Sequence, residues 1–282
     1  MTARSYVTLA VNARNRGDWP TLAAAAEAGL AVDPENAWLH AVLAEALKAQ
    51  GDPRAALAPA RRGAALAPEE PLPLGVLALT LIDLDCLDEA TEIEARLQQI
   101  DPESQPCHVV GCTLAQARGD MVALEGQARA WFATNPADVD PLVFLATSHD
   151  ARKRHVEAET VARTTLRLDP ERQPGHFFLG RALLGQQRFA EARAAALTAR
   201  RLDPTHEPNL ALLRRIERER SSERMKERSL AIGMATFVML VFLGPTVTAL
   251  EVMLLIVIMV RLERLEREAQ PQRLAMGDDP RP

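Results

Sequence analysis

An all-α solenoid of six 34-residue helix–turn–helix units is the fold class this sequence predicts, and three observations predict it. Pro34, Pro68, Pro102, Pro136, Pro170 and Pro204 stand 34 residues apart without a slip, and uninterrupted spacing at such a period marks a repeat array. Each interval holds two amphipathic stretches separated by a short turn, such as AWLHAVLAEALKAQ and RAALAPARRGAAL around Gly51-Asp52. The composition is 48% hydrophobic but only 4% aromatic, an Ala/Leu-rich mixture suited to close helix–helix packing.

Taken in order, the units start at residues 3, 37, 71, 105, 139 and 173, with the last ending near 206. Gly17-Asp18, Gly51-Asp52 and Gly119-Asp120 recur at one register. Glycine ends a helix there because it tolerates positive φ, and the aspartate beside it caps the next helix. The repeated proline closes each unit because it cannot continue a helix interior. Small residues recur inside the helices: Ala10, Ala44, Ala78, Cys112, Ala146 and Gly180 share one register, and Ala56, Ala90, Ala158 and Ala192 another. They let the two helices of a unit approach closely.

On these residues the chain resembles tetratricopeptide repeat (TPR) proteins over 3–204. The resemblance implies a right-handed α-solenoid and a role in binding other proteins. Leu9, Leu43, Leu77, Leu145 and Leu179 match the family's leucine, and Gly111 departs from it. Trp131 replaces a small residue in unit four, and Lys153 stands where unit five lacks the turn glycine. Units four and five are therefore expected to be bent or loosely packed.

Residues 205–229 read as a charged capping helix, with Leu210, Leu213 and Ile216 turned toward unit six. Terminal repeats need such a polar cover. Residues 230–260 are a different material, LAIGMATFVMLVFLGPTVTALEVMLLIVIMV, in which Glu251 is the one charge. A run of that length is a membrane-segment candidate. As one helix its 31 residues would reach about 46 Å, too long for a ~30 Å hydrocarbon core. Split at Gly244-Pro245, each half reaches about 21 Å. Basic residues flank both sides (Arg214 to Arg228 before, Arg261, Arg264 and Arg267 after). The positive-inside rule then favours a hairpin with both flanks cytoplasmic. The remainder, 261–282, is read as helical and then a disordered polar tail.

Charge and cysteine content exclude several classes. The net charge is −5, with no basic stripe for nucleic acid. Three cysteines, Cys86, Cys107 and Cys112, with no CxxC pair argue against a disulfide framework or a zinc site. No apolar run at the N-terminus fits a signal peptide. Arginine supplies all but Lys48, Lys153 and Lys226 of the 33 basic residues, a bias consistent with a GC-rich genome. These features place the array in a bacterial cytoplasm, at the inner membrane. His40, His108 and His176 lie 68 residues apart, too far for a shared metal, and are read as filling an aromatic slot. Asp83, Asp85 and Glu94 imitate a calcium loop, but Leu87 and Asp88 break its pattern. No catalytic triad, phosphate loop or HExxH is present. The sequence therefore predicts no enzyme and no cofactor.

What remains is a surface. In the family the resemblance names, the concave face is lined by fixed positions of each first helix, and a Lys/Arg/Asn clamp there grips peptide carboxylates. This chain lacks the clamp. It carries Val7, Val11, Trp38, Leu72, Leu79, Ile82, Val109, Val143, Phe177, Arg181 and Leu184 as candidate partner-groove residues. Such a trough is filled by an apolar or amphipathic partner, covered by the chain's own C-terminal part, or closed by packing between helices. Three functions follow as expectations. The first is a membrane-tethered scaffold that recruits or assembles partner proteins. The second is a chaperone-like holder of hydrophobic segments, and the third a homo-oligomer paired through the C-terminal helices.

Overall fold

The computed structural model describes residues 2–243 and residue 261. Among the described residues all regular structure is helical, in thirteen α-helices. The first helices of successive units are α1 (Ala3–Asn15), α3 (Ala37–Ala49), α5 (Pro71–Asp83), α7 (Gln105–Ala117), α9 (Asp140–Ala151) and α11 (Gln173–Gly185). The second helices are α2 (Trp19–Leu30), α4 (Pro53–Leu66), α6 (Leu87–Ile100), α8 (Met121–Thr134), α10 (His155–Leu168) and α12 (Phe189–Leu202). The last, α13, spans Glu207–Leu243. The chain divides into two compact units, Met1–Ile216 and Glu217–Pro282.

One backbone device is repeated in all six units. Gly17, Gly51, Asp85, Gly119, Lys153 and Gln187, 34 residues apart, all adopt positive φ between 57° and 86°. In each, two hydrogen bonds close the first helix: Gly17 N–H to Arg14 O and Asp18 N–H to Ala13 O in unit one, Lys153 N–H to Asp150 O and Arg154 N–H to His149 O in unit five. This is the Schellman arrangement, which satisfies carbonyls the helix end leaves open. Where glycine is present, aspartate follows and caps: Asp18, Asp52 and Asp120 accept from Thr21, Ala55 and Ala123 N–H.

The residue before four of the six repeated prolines has an equally local cause. Asp101, Asn135, Asp169 and Asp203 each accept a hydrogen bond from the N–H two residues on. This side-chain turn hands the chain from one unit to the next. The core between units is built from small residues, with Ala10, Ala44, Ala56, Ala78, Ala90, Ala158 and Ala192 fully buried. Leucines fill the remaining volume, Leu22, Leu39, Leu74, Leu81, Leu97, Leu114 and Leu124 among them. Each such side chain contributes about 1.5–3 kcal/mol by leaving water.

Units four and five were expected to be bent or loose, and they are not. Helices α7–α10 have 13, 14, 12 and 14 residues, like their neighbours. Trp131 is buried, stacks on His108 at 5.6 Å and meets Phe144 at 6.1 Å. Its bulk replaces packing that the small residues supply elsewhere. Lys153 adopts the left-handed conformation without glycine because the same pair of hydrogen bonds closes its turn.

The chain beyond the array differs from expectation in two respects, the first being that Leu212 rather than Leu210 packs on unit six with Leu213 and Ile216. The second is that the charged stretch and the start of the apolar run form one helix, α13, with no break at residue 229. Its first turns seal unit six: Leu212, Leu213 and Ile216 are buried against Leu183, Leu184, Ala192 and Ala196. Asn209, fully buried, accepts from Gln173 at 2.7 Å and donates to the carbonyls of Ala199 and Asp203. Farther along, Leu230, Met234, Phe237 and Val238 are exposed. Among the described residues no helix is long and apolar enough to cross a membrane. The proposed hairpin turn at Gly244-Pro245 and residues 246–260 lie outside them.

Candidate partner-binding face

The first helices α1, α3, α5, α7, α9 and α11 carry the eleven residues that sequence reasoning selected. Val7 and Trp38 are half-buried against the core of units one and two. Leu72, Leu79 and Ile82 lean on the core of units two to four, and Val109 on that of units four and five. Val143 is half-buried, and Val11 is exposed at 39%. Leu184 departs from the group: at 3% exposure it belongs to the core beneath α13, so it faces no partner. The face is thus a shallow apolar lining rather than a wide-open trough.

Three pairs of charges on these helices join neighbouring units. Arg14 meets Glu45 at 2.8 Å, Lys48 meets Asp83 at 3.1 Å, and Arg181 meets Asp150 at 2.6 Å. Asp150 is well buried, and burial pushes its carboxyl above the usual carboxylate range despite the opposing Arg181. Arg181 also lies over the Phe177 ring at 5.7 Å, and Phe177 packs edge-on against Phe178 and His206. Between the Lys48–Asp83 and Asp150–Arg181 pairs stand Leu79, Ile82, Val109 and Val143 with Thr113 and Thr147. The two threonine hydroxyls donate to the carbonyls of Val109 and Val143, four residues back on their own helices, at 2.7 and 2.8 Å. Their donor capacity is spent on their own helices.

A second constellation was missed. Glu125, with its side chain 7% exposed, is gripped by Arg129 and Arg152 at 2.5 Å each and by Arg154. The Arg154 hydrogen bond, ahead of the coulombic pull of Arg129, holds its carboxyl below the usual range against the cost of burial. One unit on, Glu159 is held by Arg163, Arg188 and Gln186. Arg118 reaches Thr91 in the same way. These are bolts between consecutive units. The signal was available: Glu125 and Glu159 are 34 residues apart, as are Arg154 and Arg188.

The other chemistry-bearing residues have structural partners. His40 and His176 place Nε2 2.9 Å from the carbonyls of Pro34 and Pro170, closing the loop between units. His108 instead stacks on Trp131. Cys107 and Cys112 are buried, and burial pushes the Cys112 thiol up to about 12. Asp83 ends α5, Asp85 forms the turn and Glu94 lies within α6, where it accepts from Gln98 and Gln127. Among the described residues no group of His, Cys, Asp or Glu is arranged to hold a metal ion.

No family model and no curated protein matches the sequence. Solved structures do match its fold. A TPR protein from Parabacteroides merdae superposes with a TM-score of 0.65 at 15% identity, over 76% of this chain and 84% of that one. The Cut9–Hcn1 hetero-tetramer of the APC/C gives 0.66 at 13% identity, over 76% of this chain. Yeast Tom70 gives 0.63 at 17% identity, over 83%. The fold is a TPR-like helical solenoid. This chain spans 43% of the Cut9–Hcn1 chain and 50% of the Tom70 chain.

Proposed function

We propose that this protein is a non-enzymatic, protein-binding scaffold, held at the cytoplasmic face of a bacterial inner membrane by residues 230–260, where it recruits or assembles partner proteins. The observation that carries the reading is the first-helix face, with its apolar lining and internally paired charges, on a fold shared with proteins such as the Cut9–Hcn1 assembly. The tether is supported by α13, whose charged stretch runs into exposed Leu230, Met234 and Phe237. Those side chains need a cover, and an apolar run flanked by arginines suits a bilayer. Tethering raises a partner's effective concentration near membrane targets.

The test places a photo-crosslinking residue at Gln116, exposed on the face, or at Val122, exposed on α8. Proteins are expected to crosslink at Gln116 and not at Val122 in intact cells. No protein crosslinked from either position overturns the scaffold. Fractionation tests the tether separately. The full chain should pellet with membranes and resist carbonate washing, while a chain ending at 229 should not. A full chain that stays in the supernatant without detergent overturns the anchor. If it is then oligomeric, the exposed end of α13 pairs two chains instead.

A further inference from the structure

We infer that the segment held by the first-helix face is apolar and uncharged, so that the complex is insensitive to salt. The inference rests on the scaffold reading and names the chemistry of its partner. Three observations lead to it. Six charges bordering the face are already matched in the Arg14–Glu45, Lys48–Asp83 and Asp150–Arg181 pairs. A charged ligand would have to displace one member of a pair already formed, and Lys48 and Asp150, with side chains 18% and 10% exposed, are largely out of water. Between the two latter pairs, Leu79, Ile82, Val109 and Val143 offer carbon alone. The hydroxyl protons of Thr113 and Thr147 are donated to their own helices, so neither offers a ligand a free donor. Gln116, exposed on α7, is a neutral polar group on the same helix as Val109 and Thr113.

A peptide side chain entering this centre loses its hydration and meets no donor or acceptor on Leu79, Ile82, Val109 or Val143. That costs a few kcal/mol for a polar group and more for a charge. An apolar side chain gains about 25 cal/mol for each Å² removed from water. The surface therefore selects against charge as much as it attracts apolar carbon. A helical segment of aliphatic residues satisfies its own backbone and is the ligand such a face accepts at least cost.

The test uses the full chain in nanodiscs and three dansylated helical peptides of roughly 16 residues with blocked termini, followed by anisotropy at about 50 and 500 mM NaCl. One is built from Leu, Ala and Ser; the others carry two Asp or two Lys in its centre. The uncharged peptide should bind at least about tenfold more tightly than either charged one, with a Kd that moves less than about twofold with salt. A charged peptide that binds best, or affinity that falls with salt, overturns the inference. So does failure of all three peptides to bind while Gln116 crosslinks to partners in cells; if those crosslinks are absent too, the scaffold reading itself has failed. Gln116→Glu adds a charge without disturbing the core and should weaken the uncharged peptide at least about threefold. Thr113→Val and Thr147→Val should leave its binding unchanged, and a loss there would mean the hydroxyls face the ligand.

Discussion

Glu125 shows what a single side chain does in a stack of repeats. It belongs to α8, yet two of its three arginines, Arg152 and Arg154, come from the next unit. Removing its charge leaves a cluster of guanidinium groups facing a neutral amide. Glu125→Gln should destabilise the chain by about 3 kcal/mol at pH 7, the lower end for a broken buried pair, because the arginines remain partly hydrated. The sign with pH follows from the depressed carboxyl. A lowered folded-state value gives stability that is present above the ordinary carboxylate value of 4.5 and is lost as pH falls through the folded value. Urea melts of both proteins should show the full gap at neutral pH and its closure in acid; a gap that persists in acid would mean the loss is steric. Lys153 is the counterpart at the backbone. Its positive φ strains a side-chain-bearing residue, whereas Gly17, Gly51 and Gly119 adopt the same turn freely. Lys153→Gly should raise stability by up to about 1 kcal/mol, less the added entropy of the unfolded chain. Thermal melting checks it, and a fall in midpoint would show that the Lys153 side chain matters more than its strain.

At the level of elements, the start of a second helix is a choice between two uses of one residue. Asp18, Asp52 and Asp120 spend it on a cap, and Arg154 and Arg188 spend it on the preceding unit's glutamate. A cap contributes about 1 kcal/mol to its own helix; the arginine gives that up to join two units. This is why unit five looked irregular in sequence and is regular in structure. The glycine–aspartate pair was legible as a local signal, but its replacement is tertiary, and tertiary partners become visible only when residues one repeat apart are compared. The end of the array is governed similarly. Asn209 joins α13 to α11 and to the turn after α12 through three hydrogen bonds at zero exposure. Asn209→Leu keeps the branched shape, adds bulk and removes all three bonds, so that Asp203 O and the Gln173 amide lose a partner while Ala199 O keeps the Asp203 N–H. The loss should be about 2–3 kcal/mol. Hydrogen exchange should show it as faster opening of α12 and the first turns of α13, with α3–α6 unchanged; uniform loss across all units would mean the array unfolds as one block.

Across the whole array, the proline ruler made the helix order legible because each repeat is specified by local turns. The face was legible only as a list of apolar side chains. Its charge pairing depends on neighbouring units, and Leu184 was misplaced because α13 covers it. Units six and one treat their outer sides differently. Unit six is sealed by Leu212, Leu213 and Ile216. In unit one the side chains at two registers are polar instead. Thr8 and Asn12 are exposed on α1, while the residues at the same registers of units two to four (Val42, Val76 and Val110; Ala46, Thr80 and Leu114) are buried. Polar terminal faces keep a repeat stack from continuing into a second molecule. Thr8→Val with Asn12→Ala would join exposed Leu9 and Val11 into one apolar patch. That variant, held in detergent, should show concentration-dependent association in sedimentation equilibrium, whereas the parent shows none through this end. Adding Leu9→Lys should abolish the association, because a charge at the centre of the new patch must be desolvated for two faces to meet. If the double variant behaves like the parent, the polar residues of α1 serve the stability of unit one rather than the closure of the stack.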